Sequence, residues 1–203
     1  ISTIITQSAI KLITPRLKNL DFHQIIRKEG PQEHFKKLKI PSMGGIIVIP
    51  IGLIIGYLTT PNSIIYKELI AIIFITVGFM IIGFVDDFVS ITFKRNKGLT
   101  AIAKILFQII IGLIFFLYIY FSGLLDPKIS LLGTYSIHFG IFFVPIALLV
   151  LIAESNATNL TDGLDGLASG CGAIVFSGLA IELILRGTEE SYALASFCMA
   201  LAG

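Results

Sequence analysis

Long apolar runs dominate this chain and restrict what it can fold into. Several of them approach or exceed the roughly 20 residues that a helix needs to cross a bilayer. Mean hydropathy is +0.92 and only 14% of residues are charged, values far from those of a soluble domain. A membrane β-barrel would instead show short segments of alternating hydrophobicity. The sequence therefore predicts an all-α protein, a polytopic bundle of transmembrane helices.

The apolar runs predict one integral membrane domain over residues 1–203, with no separate soluble domain. We expect this domain to continue past both ends, because the first run is too short to span alone and the last holds only a dozen residues. Cys171 and Cys198 lie in apolar runs without metal-ligand spacing. The predicted membrane segments are Ile1–Thr14, Ser42–Leu58, Leu69–Val85, Ala101–Phe121, Ile137–Ala153, Leu167–Leu185 and a run that starts at Tyr192.

Basic residues are concentrated in alternate loops. Seven lysines and arginines lie in residues 16–39, and four more lie in residues 94–104. The loops expected on the opposite side of the membrane carry only Lys67, Lys128 and Arg186. Because cytoplasmic loops of membrane proteins are enriched in Lys and Arg, we expect the basic loops to face the cytoplasm.

A polar and acidic stretch, Asn156–Leu167, directly follows the apolar run that ends at Ala153. Its amides and carboxylates recur at every third position: Asn156, Asn159, Asp162 and Asp165. In a helix, neighbours at this spacing lie on roughly one face, and glycines such as Gly163 let a ligand approach closely. This pattern favours the cytoplasmic wall of a hydrophilic pocket. A turn-rich loop is the alternative, since Asp-Gly is a common turn signal.

Two adjacent carboxylates, Asp86 and Asp87, follow the apolar run that ends at Val85. Placing both beside lipid is costly unless a cation or a basic loop compensates their charge. They are candidate catalytic carboxylates that help to organise Mg²⁺ and phosphates; a plain charged helix terminus is the alternative. In the next loop, Lys97 is a candidate phosphate contact, although charge that sets the topology or contacts anionic lipid is the favoured explanation for this loop as a whole.

Five motifs occur in the order found in one enzyme family. They are Arg-x-Glu-Gly-Pro-x-x-His over 27–34, Pro-Ser-Met-Gly-Gly over 41–45, Gly-Phe-Val-Asp-Asp over 83–87, Asn-Lys-Gly-Leu over 96–99, and the stretch 156–167. Together they resemble the phospho-N-acetylmuramoyl-pentapeptide transferases, members of the polyprenyl-phosphate N-acetylhexosamine-1-phosphate transferase superfamily. The Asp-Asp and Asn-x-x-Asp-Gly-x-Asp-Gly motifs belong to the whole superfamily, whereas the first two indicate this member.

The resemblance implies a ten-helix, Mg²⁺-dependent enzyme of the bacterial inner membrane, of which about six helices lie in this chain. Such enzymes are often homodimers with the active site on the cytoplasmic face. They transfer phospho-N-acetylmuramoyl-pentapeptide from its UDP-activated form to undecaprenyl phosphate, giving lipid I and UMP for peptidoglycan synthesis. By motif position, Asp86 resembles the residue proposed to deprotonate or orient the lipid phosphate, with Asp87 beside it. The matching substrate-binding positions are Lys37, Ser42, Asn159, Asp162, Gly163 and Asp165.

Two departures from the family pattern bear on activity. Lys39 and Ile40 replace small or hydroxylated residues, and the family's later Asp-bearing motif, the main Mg²⁺ ligand, is expected beyond Gly203. We therefore expect an enzyme whose isolated 203-residue piece is inactive. The rival interpretations are a UDP-GlcNAc:polyprenyl-phosphate GlcNAc-1-phosphate transferase and, from another class, a cation-coupled transporter.

Overall fold

Seven α-helices and one β-hairpin make up the part of the chain that the computed structural model describes, which is residues 1–19, 43–60, 66–93, 98–131, 135–162 and 166–203. The hairpin consists of strands β1 (Lys128–Leu131) and β2 (Tyr135–His138). A 3-10 turn over Gly140–Phe142 leads into α5. The helices are α1 (Ser2–Asn19), α2 (Gly45–Thr59), α3 (Tyr66–Thr92), α4 (Ala101–Phe121), α5 (Phe143–Thr161), α6 (Leu167–Arg186) and α7 (Glu189–Ala202).

Four of these helices are long and apolar enough to cross a membrane: α3, α4, α5 with its preceding turn, and α6. Their exposed surface is made largely of leucine, isoleucine, valine and phenylalanine side chains. In α5 no residue is buried, although it is strongly apolar. A helix that is apolar on its exposed side is expected where lipid rather than water is the solvent. The predicted all-α membrane fold is therefore confirmed.

The predicted helix bounds hold best where an apolar run has clear ends. The bounds of α4 agree with the prediction at both residues, and α6 ends one residue later than predicted. In contrast, α3 continues seven residues past Val85, the predicted end of its span. From Tyr66 to Asp86 the helix rises about 30 Å, which already equals the hydrocarbon thickness. The last turns of α3 therefore extend beyond the length that the bilayer requires.

The segment predicted to span from Ile137 to Ala153 begins differently in the structure. Ile137 belongs to β2, which pairs antiparallel with β1, and the helix starts only at Phe143. The prediction was wrong at this end because the apolar side chains of a strand and of a helix cannot be distinguished over so few residues. At the other end, α5 continues past Ala153 to Thr161 and includes the first part of the polar stretch.

The described residues group into two compact units, and each is treated by itself. The first comprises residues 1–64, 80–104 and 169–203. In this unit α2 packs against α7 through two glycines spaced one helical turn apart. A Cβ on Gly52 would lie 2.8 Å from Cδ2 of Leu201, and one on Gly56 would overlap the ring of Phe197. Small residues thus let the two helices approach closely, and Phe197 is only 2% exposed.

The second unit comprises residues 65–79 and 105–168. Its helices are also joined at glycines, because a Cβ on Gly78 would lie 2.6 Å from Cγ2 of Ile111 and one on Gly112 would overlap Leu148. At the end nearest the hairpin, Nζ of Lys67 donates to the carbonyl of Ser122 at 3.2 Å. That the whole chain is one integral membrane domain stays a prediction.

The seam between α2 and α7 is testable with a single methyl group. We expect Gly56→Ala to lower the free energy of unfolding by about 1–3 kcal/mol, because the added Cβ overlaps a buried ring that cannot move freely. Thermal unfolding of the purified protein in detergent measures this change. The control is Gly178→Ala in α6, where no described atom lies within 4 Å of the new Cβ. An equal loss in both variants would contradict the packing described here.

Candidate functional site

Asp86 is held on both carboxylate oxygens by groups that follow it in the chain. The backbone N–H of Leu99 donates to Oδ1 at 2.8 Å. The ammonium of Lys104, in the first turn of α4, donates to Oδ2 at 2.7 Å. Both charged side chains are 18% exposed, so this ion pair is only partly screened by solvent. Asp86 therefore ties the end of α3 to the start of α4.

The turn beside Asp86 requires a glycine. A Cβ on Gly98 would overlap the backbone carbonyl and the carboxylate of Asp86. Two residues later Thr100 caps α4, since its hydroxyl accepts the N–H of Ala103 at 3.2 Å. The close approach of Gly98 and the cap at Thr100 fix the chain that enters α4. Lys97, the predicted phosphate contact, lies outside the described residues.

The acidic pair does not form a helix terminus, contrary to the alternative considered from the sequence. Asp86 and Asp87 lie inside α3, which continues to Thr92. The unfavourable helix dipole is therefore not the main electrostatic influence on these carboxylates, because it acts chiefly on the last turn. Successive helical residues point about 100° apart. Consistent with this, the Asp87 residue is exposed while Asp86 is half-buried.

The first member of the polar stretch serves a structural purpose. Nδ2 of Asn156 donates to Oε1 of Gln108 at 3.0 Å and to the carbonyl of Ile152 at 2.8 Å. Gln108 in turn donates through Nε2 to the hydroxyl of Ser155 at 3.1 Å, and it is only 1% exposed. This network joins α4 to α5 inside the second unit. Asn156 therefore anchors α5 to α4, and its place in the wall of a pocket stays a prediction.

The next two members of the stretch are exposed at the end of α5. Asn159 lies in the last turn, and Asp162 is the residue at which the helix ends. A carboxylate at this C-cap position is opposed by the negative end of the helix dipole. The helix prediction holds as far as Thr161. Gly163 and Asp165 lie outside the described residues, as do Lys37 and Ser42.

The structure thus assigns the candidate residues to separate units. Asp86 and Asp87 belong to the first unit, whereas Asn159 and Asp162 belong to the second. Their convergence in one pocket stays a prediction from the membrane orientation. Lys104 and Gln108 both make contacts between helices, with partners that local sequence pattern does not reveal.

The described residues do not form a metal centre by themselves. No group of three or more His, Cys, Asp and Glu side chains that could hold a metal ion occurs within the described ranges. In Asp86 each oxygen already accepts a hydrogen bond, and the Lys104 ammonium balances its charge. The described residues therefore supply too few oxygen ligands to hold a divalent cation by themselves.

The fold and these side chains define a polytopic helical membrane protein with two adjacent carboxylates near the end of one span, the first of which is compensated by a lysine. Comparison with known proteins is more specific. The family model described as Glycosyl transferase family 4 matches residues 69–203. The chain belongs to this family.

The full chain is also similar to curated proteins named phospho-N-acetylmuramoyl-pentapeptide-transferase. It is 53% identical over 204 residues to the one from Prochlorococcus marinus strain SARG. The aligned region covers 100% of this chain and 54% of that protein. It is 47% identical to the one from Prochlorococcus marinus strain MIT 9313 and 46% identical to the one from Synechococcus sp. strain WH7803. Each of these alignments extends over 203 residues and covers 100% of this chain and 54% of the relative. The chain spans about half the length of these relatives.

The ion pair at Asp86 is testable with a double-mutant cycle. For Asp86→Asn and Lys104→Met, made singly and together, we expect a coupling free energy of about 1–2 kcal/mol, because each single change removes one charge of a partly buried ion pair. The matched control is Glu182→Gln with Arg186→Met, a pair that is 53% and 63% exposed. This control should couple by only a few tenths of a kcal/mol. Equal coupling in the two cycles would contradict the role assigned to Lys104.

A second cycle tests the amide network. Gln108→Leu and Asn156→Leu should couple by about 0.6 kcal/mol, the average measured for hydrogen bonds between membrane helices, for which the maximum is about 1.7 kcal/mol. Unfolding of the reconstituted protein by denaturant gives the four stabilities. Gln7→Leu, which changes an exposed amide in α1, is the control and should be close to neutral. Strictly additive effects at positions 108 and 156 would count against the network.

Proposed function

We propose that this chain is part of an enzyme that transfers phospho-N-acetylmuramoyl-pentapeptide from its UDP-activated form to undecaprenyl phosphate. The products are lipid I and UMP, and the pathway is peptidoglycan synthesis. The observation that carries the proposal is the 53% identity to a protein named phospho-N-acetylmuramoyl-pentapeptide-transferase over the whole of this chain. The order of the five motifs supports it independently. The proposal places the enzyme in the bacterial inner membrane, as a homodimer with its active site on the cytoplasmic face.

The contacts of Asp86 suit a reaction between two anions. Phosphoryl transfer depends on alignment and charge neutralisation more than on covalent help from the protein. A carboxylate has about four lone-pair sites, and the contacts with Leu99 and Lys104 use two of them. Asp86 therefore keeps the capacity to accept a proton from the lipid phosphate or to orient it. We propose Asp86 and Asp87 as the catalytic carboxylates, held in position by Lys104.

The end of α5 suits recognition of the nucleotide. Asn159 and Asp162 are exposed there, and an amide with a carboxylate supplies the donors and acceptors that a uridine and its ribose require. We propose these two residues as part of the nucleotide pocket. By motif position the proposal extends to Lys37, Ser42, Gly163 and Asp165, with Lys97 as a phosphate contact.

We include Mg²⁺ in the proposal as the cofactor. When bound, this ion supplies positive charge to the diphosphate and to the leaving UMP. Asp87 and Asp162 have the oxygen chemistry that Mg²⁺ prefers. Because the described residues fit only an incomplete ligand set, the roles given above to the protein side chains do not depend on the ion.

The proposed transfer reaction is tested by measuring the UMP that the full-length protein in membranes forms as a product. We expect Mg²⁺-dependent release when undecaprenyl phosphate and UDP-N-acetylmuramoyl-pentapeptide are both present. Release with UDP-GlcNAc alone as donor would favour the GlcNAc-1-phosphate transferase instead. No release with either donor would overturn the proposed activity. The isolated 203-residue chain should be inactive in the same assay.

The two roles proposed for carboxylates predict different kinetic defects. Asp86→Asn should lower kcat by about 100-fold or more, because the proton acceptor beside the lipid phosphate is lost. Asp162→Asn should instead raise the KM of the UDP-substrate by about tenfold with kcat little changed, since it removes ground-state binding. Asp126→Asn, at an exposed carboxylate beside the hairpin, is the control. Near-normal turnover in Asp86→Asn would refute its catalytic role.

A further inference from the structure

The β-hairpin that connects α4 to α5 has two chemically different faces. Its register pairs Lys128 with His138 and Ile129 with Ile137. Directly paired residues of an antiparallel hairpin point to the same side, and successive residues of a strand point to opposite sides. Ile129, Tyr135 and Ile137 therefore share one side, which we call the apolar hairpin face. The opposite side, the polar hairpin face, carries Lys128, Ser136 and His138.

The apolar hairpin face is uncovered in the described part of the chain. Ile129 is 41% exposed, Ile137 is 47% exposed and Tyr135 is 75% exposed. A two-stranded hairpin is at best marginally stable in water by itself. It becomes stable when an apolar face of this kind packs against another apolar surface. The hairpin therefore needs an apolar partner outside the residues described here.

The position of the hairpin in the chain indicates which partner that is. It lies between Phe121, where the spanning helix α4 ends, and Gly140, where the candidate span that contains α5 begins. His138 is only two residues from this second span, and its Nδ1 accepts the N–H of Gly140 at 3.1 Å. At the start of the hairpin, the N–H of Phe139 donates to the carbonyl of Pro127 at 2.9 Å. The base of the hairpin is thus tied to the first residue of the span that contains α5.

We propose that the apolar hairpin face rests on the lipid bilayer, in the interfacial layer between acyl chains and phospholipid headgroups. Tyr135 has the apolar ring and polar tip typical of this layer. On the other side, Lys128 and His138 face the headgroups and water. The outer edges of both strands carry backbone groups without ladder partners, and these groups stay hydrated in the interface although they could not in the hydrocarbon core. This inference does not depend on the transfer reaction proposed above.

Tryptophan fluorescence tests the proposal, since the 203 residues contain no tryptophan. The probes are Tyr135→Trp and Ile129→Trp on the apolar hairpin face, and the matched control is Ser136→Trp on the polar hairpin face. The full-length protein is placed in nanodiscs of phosphatidylcholine with or without brominated acyl chains, and the emission of the parent protein is subtracted. Acrylamide in the buffer reports access from water.

We expect brominated lipid to quench the emission of both probes on the apolar hairpin face much more strongly than that of the Ser136→Trp control, because aromatic rings in the interfacial layer lie beside the acyl chains. The Ser136→Trp control should be quenched by acrylamide and little by brominated lipid. Equal quenching of the two faces by brominated lipid would overturn the proposal. Shielding of the Tyr135→Trp probe from both quenchers would also overturn it, because a second copy or another part of the protein would then cover the face.

Discussion

The requirement that polar groups find partners inside a lipid solvent governs the described parts of this protein. An amide or a charge without a partner costs far more free energy in hydrocarbon than at a surface where water can solvate it. The polar side chains in the first turns of α4 meet this requirement by contacting other helices. Lys104 neutralises Asp86, and Gln108 completes the hydrogen bonds of Asn156 and Ser155. These contacts join α4 to α3 in one unit and to α5 in the other.

In both candidate motifs, a half-buried residue with identified hydrogen bonds is followed along the helix by an exposed residue. Asp86 is anchored by two hydrogen bonds while its neighbour Asp87 is exposed. In the polar stretch, Asn156 is anchored to Gln108, whereas Asn159 one turn later is exposed. An anchored residue fixes the rotation of its helix, and this in turn fixes the direction in which the exposed residue points. Such support is needed wherever a catalytic geometry must be held to a fraction of an ångström.

The sequence predicted the features that depend on local pattern and missed those that depend on distant partners. The bounds of α4 and the membrane character of the fold follow from the length of the apolar runs, and both are confirmed. The hairpin was missed because strands of only four residues are too short for their alternating pattern to be distinguished from the start of an apolar helix. The extension of α3 was missed because hydropathy marks the end of the hydrocarbon layer, whereas backbone hydrogen bonding continues past it. The partner of Lys104 lies 18 residues away, beyond any local rule.

Asp86 and Asp162 differ in whether neighbouring groups compensate the charge of the carboxylate. Asp86 carries its own compensation, since a lysine and a backbone N–H contact it directly. At the end of α5, Asp162 is exposed beside the negative pole of the helix, where a charge of this sign opposes folding by about 0.3–1 kcal/mol. A residue that opposes folding at such a position is explained more readily by what it binds than by what it stabilises. This physical asymmetry, more than its place in a motif, supports a substrate-binding role for Asp162.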